Sequence, residues 1–293
     1  MSEITSYTAR LKQDFQKIES QVMELLEIST IKEFRNDPNS GIVFITPPYE
    51  WGETNEQQKI LQMLLVKKYS DWIEHFRLLF SSASQEINQQ IAETQKFITS
   101  WIEKESSWEV PSSIESAKSL FHEKVRVFYE LLNLLETTGK HEIIVVPDTN
   151  SLIAVPDLAQ YVSAAGQPKY TVIIVPTVLG ELDKLKIIHR EPEFRDKVNS
   201  VIKRIKGLRT QGSLLAGVTI NKTVTVRMIA TEPDFDITLK WLDSENTDDK
   251  IIASVLEIQK ENPSSVVVVA TSDINLQNKA EMAGLPFVET PVV

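Results

Sequence analysis

From residue 142 onward the sequence alternates between two grammars, and that alternation limits the fold more than any other feature. Five runs rich in β-branched residues stand out: EIIVVP (142–147), YTVIIVP (170–176), TVTVRMI (223–229), SVVVVA (265–270) and PFVET (286–290). Three are apolar almost throughout, as strands covered on both faces should be. Between them lie SLIAVPDLAQYVSAAG, LGELDKLKII with VNSVIKRIKGL, DDKIIASVLEIQKE and NLQNKAEMAG, all with helical spacing. Strand alternating with helix predicts an α/β fold, an open and mostly parallel five-stranded sheet with helices on both faces. No Gly-x-Gly-x-x-Gly or Walker-type loop follows any of the runs, which removes the usual support for dinucleotide or P-loop nucleotide binding.

Residues 1–139 read differently. Leu11, Phe15, Ile18, Val22, Leu25 and Leu26 mark an amphipathic helix within LKQDFQKIESQVMELLEISTIKEF, which ends towards Asp37, Pro38 and Gly41. Glu53 to Val110 contains neither Pro nor Gly and keeps a helical stripe, with SSAS at 81–84 as its expected kink. A further helix is expected after Pro111, with Gly139 placed to end it. This half predicts an all-α hairpin or bundle, with Trp51, Trp72, Trp101 and Trp108 in its core. His75 and His122 have no second ligand-type residue at a suitable offset and are expected to be ordinary. The domains are therefore placed at 1–139 and 140–293.

Bulk properties narrow the chemistry. With no Cys, disulfides, thiolate zinc sites, Fe–S clusters and cysteine nucleophiles are excluded. No apolar run approaches the roughly 18 residues that span a bilayer, and the first residues are polar, so no membrane partner and a cytoplasmic location are expected. A formal net charge of −10 requires any polyanion partner to meet a local basic patch. Nine basic residues between Lys184 and Arg209, opposed only by Glu191, Glu193 and Asp196, supply one. Lys203, Arg204 and Lys206 are the candidates for phosphate contact, although a solvated helix face accounts for such a stretch equally well.

In an open parallel sheet, ligands bind beyond the carboxyl ends of the strands, where the strand order reverses. Asp148 follows the first run directly and Asp273, in TSD, follows the fourth. If those two strands are neighbours, the carboxylates face each other. Glu181 follows the second strand, and Asp249 opens the helix before the fourth. Each acid taken alone is also a helix cap or first-turn acid. Together, four acids at one end of one sheet would repel unless cations neutralise them, and carboxylates without Cys or clustered His suit Mg²⁺ or Mn²⁺.

Residues 142–293 resemble the PIN domain, a metal-dependent ribonuclease fold. The resemblance is carried by VVPDTNSLI with Asp148, VPTVLGELDKLK with Glu181, TDDKIIAS with Asp249 and VVVVATSDINLQNKA with Asp273. It implies that these four acids hold one or two divalent ions for hydrolysis of RNA phosphodiesters, most simply in single strands. It further implies a supporting role for Asn150 and an assisting hydroxyl at Ser272. Asp249 fits the family spacing to the following Ile-Ile-Ala better than its neighbour Asp248, which stays open as the alternative ligand. The resemblance does not reach the helical half, which is expected to serve dimerisation, partner binding or substrate selection. Two other functions stay open: a structure-selective DNA nuclease of the related flap-endonuclease type, and a catalytically weak PIN scaffold acting as an interaction module.

Overall fold

A computed structural model describes residues 5–33, 46–139 and 141–291. The chain divides into two compact units, one from Ala9 to Leu134, the other from Leu135 onward together with the residues before Ala9.

The helical unit is built from α1 (Tyr7–Glu27), β1 (Ile31–Glu33), β2 (Tyr49–Trp51), α2 (Glu56–Leu79), α3 (Gln85–Glu103) and α4 (Ile114–Thr138). The first helix stops sooner than its periodicity predicts. Ile31–Glu33 leave it and pair antiparallel with Tyr49–Trp51, so this half is not purely helical. The β-branched Thr30 and Ile31 favour such an extended pairing over a continued helix. Asp37, Pro38 and Gly41 lie outside the described residues. The long stretch without Pro or Gly breaks where SSAS predicts: α2 ends at Leu79, and Ser84 caps α3 by accepting from Ile87 N. Asn55 and Gln58 form a reciprocal capping box at the start of α2, satisfying two backbone donors that would otherwise lack partners. Phe15, Trp72, Phe76 and Phe128 fill the core with ring centroids 4.4 to 5.4 Å apart. Trp51, Trp72 and Trp101 are buried, but Trp108 is 64% exposed. It sits in the connector between α3 and α4, where no helical stripe turns it inward. His75 and His122 bond Asp71 O and Glu19 respectively.

The second unit is the α/β half. Its elements are β3 (Ile143–Pro147), α5 (Thr149–Ala154), α6 (Val162–Ala165), β4 (Tyr170–Ile174), α7 (Pro176–Ile188), α8 (Pro192–Arg209), β5 (Val218–Ile220), β6 (Val224–Met228), α9 (Thr247–Glu261), β7 (Val266–Ala270), α10 (Ile274–Met282) and β8 (Phe287–Val288). They form one sheet in the order β5-β6-β4-β3-β7-β8, parallel except for β5. Consecutive residues of β3, β4 and β7 are buried, so both faces of the central sheet are covered. The sheet has a sixth strand beyond the five expected. That strand, β5, is a three-residue edge strand joined to β6 through Asn221 and Lys222, both left-handed at φ 49° and 64°, as a tight primed hairpin turn requires. Between α4 and β3 the chain passes so close to the end of α9 that a Cβ at Gly139 would lie 1.5 Å from Ser264 Oγ. Only glycine fits there without a shift.

Candidate active site

The sheet order reverses at β3. The chain runs outward through β4 and β6 on one side, then returns to place β7 on the other. The crevice of such a sheet opens at the carboxyl ends of β3 and β7. These two strands are in register from Ile143–Val266 to Pro147–Ala270, so Asp148 and Thr271 leave the sheet side by side. Asp148 N donates to Ala270 O at 3.1 Å, extending the ladder by one bond.

Asp148 is 4% exposed and caps α5: its Oδ1 accepts from Ser151 N at 2.6 Å. Its Oδ2 accepts from Thr271 Oγ1 at 2.5 Å. Both donors are neutral, and among the described residues no basic side chain pairs with it. Ser151, fully buried, bonds Ala270 O at 2.9 Å and Thr290 Oγ1 at 2.6 Å, pinning this corner to β7 and to the chain beyond β8. Nearby Tyr161 is fully buried; burial first, then the charge of Asp148, pushes its pKa up and keeps its hydroxyl protonated. Glu181, half-buried on α7, accepts a hydrogen bond from Thr149 Oγ1. Asp273 is exposed and caps α10 through Asn275 N at 2.7 Å and Leu276 N at 3.2 Å, while its own N–H donates to Thr271 Oγ1 at 3.0 Å. Thr271 therefore touches both acids that leave the sheet.

Asp249 belongs to the first turn of α9. That helix is joined to β7 by a short connector and packs on it and on α7, so its first turn lies towards the carboxyl ends of the strands. Asp249 is 6% exposed, and its Oδ2 accepts from Asp243 N at 3.0 Å. Its Oδ1 lies 2.8 Å from Lys279 Nζ of α10. The same ammonium reaches Asn246 Oδ1 at 2.9 Å and Asp248 Oδ2 at 3.4 Å. Burial alone would lower the pKa of Lys279, but Asp249 and Asp248 outweigh it and hold the value above that of an ordinary lysine.

Other sequence candidates are dispersed. Asn150 is exposed beyond Thr149. The Oγ of Ser272 accepts from Thr290 N at 3.2 Å, and the hydroxyl on Asp148 is that of Thr271. Lys203, Arg204 and Lys206 are exposed on α8, and none pairs with the four acids among the described residues. Arg204 borders a cavity of about 270 Å³ lined by Leu152, Pro156, Leu158 and Val201. Thr271, Thr149 and Lys279 were not singled out by sequence. TSD offers two hydroxyls, and only the register of β7 against β3 says which one meets Asp148.

Residues 145–290 match the family model of the PIN domain. The C-terminal half of this chain is a PIN domain. No curated protein matches the chain. PIN domains have a nuclease-like fold and are generally metal-dependent nucleases. The donor types here suit a hard divalent ion: a buried carboxylate at the switch point, served among the described residues by neutral donors alone, with Glu181 and Asp273 on adjoining elements. Among the described residues, however, no three Asp, Glu or His side chains converge as a ready-made cage. Each acid has its own partner: Thr271 on Asp148, Thr149 on Glu181, the first backbone N–H groups of α10 on Asp273 and Lys279 on Asp249. Among the described residues no helix is long and apolar enough to cross a membrane.

Proposed function

We propose that this PIN domain is a divalent-metal-dependent endoribonuclease, acting on single-stranded RNA with Mg²⁺ or Mn²⁺. The observation that carries the reading is Asp148: a buried carboxylate that has no cationic partner among the described residues, at the crevice between β3 and β7 of a PIN domain. Asp148, Glu181 and Asp273 would hold the first ion, with Asp249 on the neighbouring helix. A bound ion supplies Lewis acidity and an activated water for in-line attack on phosphorus. The chain's own contribution is orientation. Thr271 fixes one oxygen of Asp148 and the backbone of Asp273, and Thr149 holds Glu181. The exposed Lys203, Arg204 and Lys206 are assigned to RNA phosphates, because among the described residues no acid of the site pairs with them.

The helical unit is assigned a role in self-association or partner docking. Ile60, Met63 and Leu64 on α2 are 61%, 75% and 54% exposed at helical spacing, as a docking stripe would be. Light scattering separates a dimer of the chain from a monomer that awaits a partner.

The test of the main reading is cleavage of single-stranded RNA set against branched DNA, with EDTA and with Mn²⁺ restored. RNA cleavage that stops in EDTA and returns with Mn²⁺ supports it. Preference for branched DNA would move the assignment to the flap-endonuclease class. No cleavage of either, with Mn²⁺ bound or not, would leave an interaction module.

A further inference from the structure

The two buried acids of the site are neutralised in different ways. Among the described residues, Asp148 accepts only from a backbone N–H and a hydroxyl. Asp249 already holds a cation, because Lys279 Nζ is 2.8 Å from its Oδ1. Asn246 and Asp248 complete the ring of oxygens from the same turn of α9, at 2.9 and 3.4 Å from Nζ. Oxygens of two carboxylates and an amide around one positive centre form the kind of donor set that a hard metal ion takes. Here the chain fills it with its own ammonium. The side chain of Lys279 is 22% exposed and that of Asp249 8%, so water screens the contact little on the carboxylate side.

We propose that Lys279 is a tethered counter-ion that stands in place of a divalent cation at the Asp249 end of the site. It thereby limits how many ions the PIN domain holds. This rests on the metal-dependent reading given above. A buried carboxylate stripped of its partner is strongly unfavourable, so loss of the ammonium leaves a position that a divalent ion from solution would fill. While the ammonium is present, an incoming ion must displace a competitor that never diffuses away. The geometry thus divides the site. The Asp148 side is open to an ion, and the Asp249 side is closed until Lys279 moves.

The experiment titrates Mn²⁺ into the full chain, following free Mn²⁺ by electron paramagnetic resonance and thermal denaturation with and without the metal. Lys279→Met and Lys279→Gln remove the charge, and Lys279→Arg keeps it. The uncharged variants should bind a further Mn²⁺, or bind it roughly tenfold tighter, and be stabilised by Mn²⁺ more than the wild type. Lys279→Arg should match the wild type. Adding Asp249→Asn to Lys279→Met should abolish the gain. Lys279→Gln is the smaller change in shape and polarity, and carries the test if Lys279→Met fails to fold. No gain in either uncharged variant, or a gain that survives Asp249→Asn, would overturn the proposal. The underlying reading fails separately. Wild type that binds Mn²⁺ through Asp148, with Lys279→Met unchanged, removes only the counter-ion. Absence of Mn²⁺ from the wild type, Asp148→Asn and Lys279→Met alike removes both.

Discussion

Replacing Thr271 by Val asks whether one hydroxyl organises the site. Val keeps the shape of Thr and opens no cavity in a position that is fully buried. It removes the donor to Asp148 Oδ2 at 2.5 Å and the acceptor for Asp273 N at 3.0 Å. A hydrogen bond to a charged group contributes about 1.5–3 kcal/mol, and a partly buried N–H left without an acceptor adds about 1 kcal/mol. The expected loss is therefore about 2.5–4 kcal/mol, or a fall in Tm of about 5–16 °C for a unit of this size. Thr271→Ser keeps both hydrogen bonds and loses one buried methyl, which costs about 1 kcal/mol. Thermal denaturation of both variants should therefore place Val well below Ser. A double-mutant cycle with Asp148→Asn should give a coupling of about 1–2 kcal/mol, since the neutral amide is a weaker acceptor. Val and Ser variants that melt within about 1 °C of each other would show that Thr271 does not hold Asp148.

Gly139→Ala should cost about 1–3 kcal/mol by driving a Cβ into Ser264, and Ser264→Ala should recover part of it, both read in the same thermal assay. The raised pKa of Lys279 makes its contribution complete below the unfolded lysine value of about 10.4 and lost as pH rises through the higher folded value. The Tm gap between wild type and Lys279→Met should therefore be constant at neutral pH and shrink in strong alkali. Changing Lys203, Arg204 and Lys206 together to Ala should weaken RNA binding, measured at several salt concentrations with Ca²⁺ present. The log–log slope should fall in magnitude by about two units at roughly 0.7 per phosphate contact, whereas an unchanged slope would make α8 a solvated face.

The sequence carried most of the sheet because β3, β4 and β7 are short continuous β-branched runs, which only a strand covered on both faces accommodates. Their ends located Asp148 and Asp273 before any neighbour was known. What escaped depends on register or on packing between distant segments. Strand β5 is three residues with only Val218 buried, too little for a pattern. Thr271 and Ser272 differ by one position, and in extended chain one position exchanges the faces. Lys279 reads as an ordinary helical lysine until α10 is laid beside the first turn of α9. The hydroxyls of Ser6 and Thr8 bond Glu136, so the residues before Ala9 join the unit that begins at Leu135, a pairing that no local periodicity encodes.

The central claim is that Asp148 is a metal ligand for RNA hydrolysis and not only the cap of α5. Asp148→Asn separates the two, because Asn caps a helix about as well as Asp and weakens only the bond from Thr271, so stability should stay within about 2 kcal/mol of wild type. Mn²⁺ affinity and cleavage of single-stranded RNA should be measured on the same preparation of wild type and variant. The account predicts a folded variant that has lost both; a variant that binds Mn²⁺ and cleaves RNA as the wild type does would contradict it.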